Sequence, residues 1–188
     1  MSRPPYPIET DRLTIRPFTG DDLDALHGIQ SKRELTTYLY WEPRSRNEVV
    51  EVLDSRIDRP FDEVYRTGLA LAVVVRDTNT LIGDVSLTVL SREHAQGEIG
   101  FVLDPDQQGR GYGREAATVL LRFGFEDLEL HRIIGRCDPR NVPSWRLLER
   151  LGMRREAHFR ESEIFKGEWG DEYVYALLAA DWRGAATG

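Results

Sequence analysis

Cysteine is nearly absent: Cys137 stands alone among 188 residues. That excludes an intrachain disulfide framework and a cysteine-rich zinc site. Lysine is almost as scarce, with only Lys32 and Lys166. This leaves little room for a catalytic lysine or for the lysine of a Walker phosphate loop. The four histidines, His27, His94, His131 and His158, have no metal-ligand spacing, so no metal is expected. No apolar run approaches the ~20 residues of a membrane helix. Met1–Tyr6 also lacks the apolar core of a signal peptide. A cytoplasmic location without membrane contact is the expectation.

The composition is that of a globular protein, 40% hydrophobic and 30% charged. A chain of this size buries roughly 70% of its unfolded surface in one core and needs no metal or disulfide staple. No repeat, low-complexity linker or break in composition divides it. A single domain over 1–188 is expected, with flexible ends at 1–8 and 179–188. The net charge is −7, which argues against nucleic-acid binding, since that affinity comes largely from neutralised phosphates. The charge is uneven: Asp104–Arg154 carries nine arginines against eight acidic residues, and the deficit lies elsewhere. An anionic cofactor on one side and a cationic substrate on the other fit that split, as does plain solubility.

Leu13–Phe18 alternates and reads as a strand. Thr19 with Asp22, and Ser45 with Glu48, form capping boxes. The first precedes a helix bearing Leu23, Leu26 and Ile29. The second precedes one bearing Val49, Val52, Leu53 and Ile57, stopped by Pro60. Leu69–Val75 is apolar throughout and reads as a strand buried on both faces. In Leu81–Leu90, alternation puts Leu81, Val85, Leu87 and Val89 on one face, and Ile82, Asp84, Ser86 and Thr88 on the other. Glu98–Leu103 is a further strand, and short links make these strands antiparallel meanders. A helix over Arg114–Leu128 and a strand over His131–Cys137 follow. Their path from Glu98–Leu103 is long enough for a parallel crossover. A short helix, Pro143–Leu151, ends at Gly152, and Arg154–Phe165 with Asp171–Leu178 form a closing hairpin around Lys166–Gly170.

The segment Gln107-Gln108-Gly109-Arg110-Gly111-Tyr112-Gly113-Arg114 lies between a strand and a helix. Its glycines let consecutive N–H groups converge on one point, and the helix presents its positive end there. Arg110 and Arg114 add mobile charge, so the loop suits a phosphate or pyrophosphate. Gly113 is followed by Arg114-Glu115, so it is not a Walker loop. Gly111, Gly113 and Ala116 fit a dinucleotide fingerprint, with Asp138 near the end of the next strand. But Asp104–Gln108 separates those glycines from their strand, and the upstream strands are antiparallel. A dinucleotide-dependent oxidoreductase is therefore a remote alternative.

Gln108, Gly111 and Gly113 match the Arg/Gln-x-x-Gly-x-Gly/Ala signature of the GCN5-related N-acetyltransferases. Glu9–Arg16, Glu98–Phe101 and Asn141–Met153 extend the resemblance over nearly the whole chain. It is closest to the ribosomal-protein-alanine N-acetyltransferase branch and its relatives of other specificity. The resemblance implies an α+β fold: a mixed, mostly antiparallel sheet of about seven strands flanked by about four helices. The sheet splays at the central parallel pair. Acetyl-CoA would enter the gap, its pantetheine arm beside Phe101, Val102 and Leu103 and its pyrophosphate on Gly109–Gly113, with Gln108, Arg110, Tyr112 and Arg114 around it. Asn141 would hold it from the far side. A homodimer is also implied.

Acetyl transfer needs a neutral amine, and neutralising one at pH 7 costs about 1 kcal/mol for an α-amine and about 4–5 for lysine. By the resemblance, Glu98 is the first candidate for the base, and Asp84, on the polar face of its strand, a weaker one. Many relatives place a tyrosine acid where this sequence has Leu148. Ser144 is the expected substitute, either hydrogen-bonding the CoA sulfur or donating a proton. Tyr38, Tyr40 and Trp41 lie where the resemblance puts the acceptor wall, though core packing is the reading their residue types favour. The acceptor is a primary amine, either a protein N-terminus or a small cationic amine. Leu148 keeps a second possibility open, a non-catalytic acyl-CoA sensor.

Overall fold

The computed structural model describes residues 6–57 and 68–186. The chain opens with β1 (Ile8–Glu9) and β2 (Leu13–Arg16), then α1 (Leu23–Gln30), α2 (Arg33–Thr36) and α3 (Arg46–Asp54). A meander follows, of β3 (Leu69–Val75), β4 (Thr80–Ser91) and β5 (Gln96–Leu103). Next come α4 (Tyr112–Arg122), β6 (Arg132–Cys137), α5 (Val142–Arg150), β7 (Arg154–Phe165), β8 (Glu168–Leu178) and α6 (Ala179–Ala186). The strands form one sheet in the order β1-β2-β3-β4-β5-β6-β8-β7. Among the described residues the only parallel pairing is β5 with β6. The expected mixed sheet is thus present, with one more strand than anticipated. The addition is β1, two residues long and too short to leave a periodic signal.

The sheet separates two apolar layers. On one side α4 and α5 cover Leu13, Ile15, Leu71, Val73, Val85, Leu87, Ile99 and Ile133. On the other, α1 and α3 bring Leu26, Ile29, Val49 and Leu53 onto Ala72, Val74 and Leu81. β3 feeds both layers, which is why it reads as apolar at every position. Each Val, Leu or Ile among them, fully buried, contributes about 1.5–3 kcal/mol. Both capping boxes form, and the Ser45 hydroxyl accepts from the Glu48 N–H.

Some expectations need correcting. The strict alternation read into Leu81–Leu90 fails at its start. Gly83 pairs with Val73 but Leu81 with Val74, so Ile82 is an extra residue in a bulge. The bulge flips the parity: Ile82 joins Val85 and Leu87 toward α4, and Leu81 faces α1 and α3. Helix α4 ends at Arg122, and Phe123–Asp127 continues as a wider π-turn. The closing hairpin turns at Lys166-Gly167, both with positive φ, tighter than the five residues anticipated. Residues 179–186, expected to fray, form α6, with Ala179 buried and Trp182 stacked on Phe125 at 5.7 Å. Pro60, the expected stop of α3, lies outside the described residues; α3 ends at Asp54.

Candidate functional site

The parallel ladder between β5 and β6 has three rungs: Gln96 with Arg132, Gly97 with Ile133 and Glu98 with Ile134. Beyond Glu98 the strands part. β5 runs on to Leu103 paired with β4 alone, and β6 runs on to Cys137 paired with β8. A wedge therefore opens in the middle of the sheet, with Glu98 at its closed end. Phe101, Val102 and Leu103 line one wall and are partly exposed.

At the mouth of the wedge the chain leaves β5 for α4. The Gln108 side-chain amide donates to the Leu103 carbonyl at 3.1 Å and folds the loop back. Gly109 and Gly111 take φ of 76° and 84°, where a side chain would be strained. Gly111 is the N-cap of α4 and has no side chain with which to cap that end. The helix thus turns its first-turn N–H groups outward as an anion seat. Arg110 and Arg114 are exposed beside it, while Tyr112 packs under the Arg12 guanidinium at 4.8 Å. Gly113 is buried: a Cβ there would lie 3.1 Å from both Leu103 and Leu147. The candidates from Gln108 to Arg114 are therefore brought together.

The sheet face toward α1 and α3 carries the polar groups. Strand parity aligns Glu98 on β5, Arg136 on β6 and Glu172 on β8. The Arg136 guanidinium lies between the two carboxylates, 3.5 Å from Glu98 and 3.7 Å from Glu172. Burial raises the pKa of Glu98, and Arg136 opposes the shift only in part. Glu172 is raised too, by burial and by the charges of Glu163 and Glu98 against Arg136. On the rim the Tyr40 hydroxyl donates to Glu163, and its ring meets Phe165 edge-on at 5.4 Å. Lys166 Nζ donates to the Thr36 carbonyl at 2.9 Å and pairs with Glu42, tying the hairpin to the segment before α3.

Tyr38 lies against Arg140, 6.0 Å from ring to guanidinium, near the end of β6. Trp41 lies under the Arg44 guanidinium, 4.1 Å from ring to cation. Asp84 is on the same face as Glu98 but is 4% exposed and paired with Arg56 at 3.1 Å. Its partner and its burial give it a structural ion pair, so the wedge does not gain it as a free carboxylate.

Across the wedge, Asn141 is the N-cap of α5, its Oδ1 accepting from the Ser144 N–H at 3.3 Å. Ser144, half-buried, shares a side-chain hydrogen bond with the Cys137 thiol. Burial raises that thiol to about 11, so it stays protonated at neutral pH. Leu148 is 1% exposed and fills the space a Cβ on Gly135 would need. It belongs to the core.

An uncapped glycine loop beside a wedge between two parallel strands, with a half-buried carboxylate at its closed end, suits an acyl thioester and an attacking amine. A family model described as an acetyltransferase (GNAT) domain matches residues 12–154. The chain belongs to the GNAT acetyltransferase family. An uncharacterized N-acetyltransferase of Bacillus subtilis is 35% identical over 175 residues, covering 93% of this chain and 98% of the relative. A GNAT-family acetyltransferase from Bacillus anthracis superposes with a TM-score of 0.83 at 32% identity, over 92% of this chain and 98% of that one. Spermidine N-acetyltransferase from Vibrio cholerae, solved with CoA and spermine, gives 0.77 at 25% identity, over 93% and 99%. Neither the family nor a sheet with one parallel pair among the described residues supports the dinucleotide alternative. Among the described residues no group of three or more potential metal ligands occurs, and no helix is long and apolar enough to cross a membrane. Sequence reasoning missed Arg136 and Glu172. They stand out only once β8 is known to pair with β6, which puts Val174 opposite Arg136 and aligns Glu172 with Glu98.

Proposed function

We propose that this GNAT protein transfers an acetyl group from acetyl-CoA to a primary amine by direct attack, in the cytoplasm. The observation that carries the reading is the wedge, which opens from Glu98 toward the uncapped Gly109–Gly113 loop. Acetyl-CoA supplies an activated thioester. The glycine-loop amides hold its pyrophosphate, with Arg110 and Arg114 adding charge and Asn141 closing the other side. Phe101–Leu103 offers main-chain groups to the pantetheine arm. Glu98 takes the proton of the incoming ammonium, directly or through water, and its raised pKa brings it closer to the working pH of a base. As the nitrogen–carbon bond forms and the carbon–sulfur bond breaks, the nitrogen's surplus proton would pass to the leaving thiolate, giving the free thiol, with the Ser144 hydroxyl placed to hydrogen-bond that sulfur or relay the proton. The carboxylates Glu98, Glu172 and Glu163 favour a cationic acceptor, whether a small amine or a protein N-terminus. The Vibrio cholerae neighbour carries spermine, which supports the small cationic amine.

The test is calorimetric titration with acetyl-CoA, with NADH as control. Mass detection of acetylated product follows, on spermidine and on peptides with free N-termini. Binding of acetyl-CoA but not NADH, with transfer to either amine class, is the expected result. Absence of acetyl-CoA binding overturns the reading; binding without transfer to any amine leaves an acyl-CoA sensor.

A further inference from the structure

Glu115 stands in the first turn of α4, directly behind the proposed pyrophosphate seat. A carboxylate suits a bare helix N-terminus but works against an anion that is to bind there. The charge is answered by a residue from the far end of the sheet. Arg12, just before β2, lays its guanidinium along the carboxylate: Nε donates to Oε2 at 2.8 Å and Nη2 pairs with Oε2 at 2.6 Å. The Arg12 backbone N–H and the Thr10 hydroxyl complete the cage on Oε1, at 3.0 and 2.6 Å. Burial of Glu115 pushes its pKa up, but these donors outweigh it and hold the carboxyl below its usual range.

The same guanidinium reaches the loop itself. Arg12 Nη1 donates to the Arg110 carbonyl at 2.9 Å, and a Cβ on Gly111 would lie 3.3 Å from Nη2. The face of the guanidinium covers Tyr112. All three of its nitrogens are thus engaged within the fold, and its charge is spent on Glu115. This is the arrangement of a brace, not of a phosphate ligand. On the opposite side Lys32 Nζ holds Asp104 and Asp106 at 2.5 and 2.7 Å, anchoring the loop where it leaves β5.

We infer that Arg12 is a positioning residue for the cofactor: it pins the crest of the glycine loop to β2 and cancels the Glu115 charge behind the pyrophosphate seat. This rests on the acetyl-CoA reading of the loop. Removing Arg12 alone then does two kinds of harm, freeing the loop and exposing a carboxylate to the bound anion. Removing Glu115 as well repairs the second kind.

The experiment compares wild type, Arg12→Gln, Arg12→Lys and Arg12→Gln/Glu115→Gln. Calorimetry measures binding of acetyl-CoA and of S-acetylpantetheine, which has the thioester arm but no pyrophosphate. The expected Kd for acetyl-CoA rises about 10–30-fold in Arg12→Gln, and the double variant recovers to within about threefold of wild type. Arg12→Lys keeps the charge without the fork and lies between them. It carries the comparison should Arg12→Gln melt below the assay temperature. Binding of S-acetylpantetheine is unchanged in every folded variant. Equal loss for both donors or wild-type affinity in Arg12→Gln overturns the brace, and equal loss in single and double variants overturns its cancelling of the Glu115 charge. A wild type that binds S-acetylpantetheine but gains nothing from the rest of acetyl-CoA also overturns it. Failure of wild type to bind either donor removes the functional reading, and the brace with it.

Discussion

The two sides of the wedge are built from different materials. On the cofactor side the working groups are main-chain amides, gathered by six consecutive residues from Gln108 to Gly113. They are fixed from both flanks by Arg12 and Lys32. On the acceptor side the working groups are side chains from distant segments: Tyr40, Glu98, Arg136, Glu163 and Glu172. Amides cannot be substituted away, so the first side is sensitive to backbone shape. Carboxylates and phenols can be, so under the proposed reading the second side would set which amine is accepted while the donor stays the same.

Substitutions on either side test whether the division holds. The largest effect is expected from Glu98→Gln, which removes the proposed base: kcat falls about 10²–10³-fold. Acetyl-CoA binding by calorimetry stays within about twofold, since Glu98 makes no part of the anion seat. Loss of binding and turnover together would break the division. Next is Gly111→Val. Its φ of 84° and the 3.3 Å approach of Arg12 leave no relaxed place for a branched side chain. Acetyl-CoA affinity drops about 10–100-fold with little change in the acceptor KM. Smaller is the effect of Tyr40→Phe, which leaves Glu163 without its phenolic donor. The acceptor KM shifts about threefold and the acetyl-CoA KM not at all.

The smallest effect is in titration. A carboxyl-carbon NMR titration of Glu98 should give a midpoint above the ordinary 4.5, because burial raises it. Only the ionised form is a base, so activity is lost as pH falls through that raised value. Glu172→Gln removes a like charge and lowers the midpoint, whereas Arg136→Gln removes the opposing cation and raises it further. A midpoint indifferent to both variants would mean that the carboxylates do not act as one electrostatic unit.

The same division governs what could be read from the sequence. Gln108, Gly111 and Gly113 sit close together between a strand and a helix, so spacing alone singled out the loop as a candidate anion site. Their resemblance to the acetyltransferases extended the reading to the fold. Glu98 came from that resemblance too. Arg136 and Glu172 were out of reach because their alignment with Glu98 depends on β8 inserting between β6 and β7. That pairing is set by long-range packing. Asp84 was placed on the correct face, but no local signal revealed Arg56 beside it. The parity of Leu81 and Ile82 was misread because a bulge leaves the residue pattern looking regular while shifting its phase. The C-terminal helix was missed because Ala179–Ala186 is weakly amphipathic, and its anchor is Trp182 on Phe125.

The three-rung ladder that stops at Glu98 and Ile134 gives this sheet an edge in its own interior. From Ile99 to Leu103, β5 has a neighbouring strand on one flank only among the described residues. A ligand lying along the free flank serves as a temporary strand, so the fold is completed by a small molecule. At a hundredfold excess over Kd such a ligand adds about 2.7 kcal/mol to stability, a sizeable share of the roughly 5–15 kcal/mol a domain has. If that ligand is acetyl-CoA, as proposed above, the protein resists unfolding and proteolysis more strongly with the donor bound than without it.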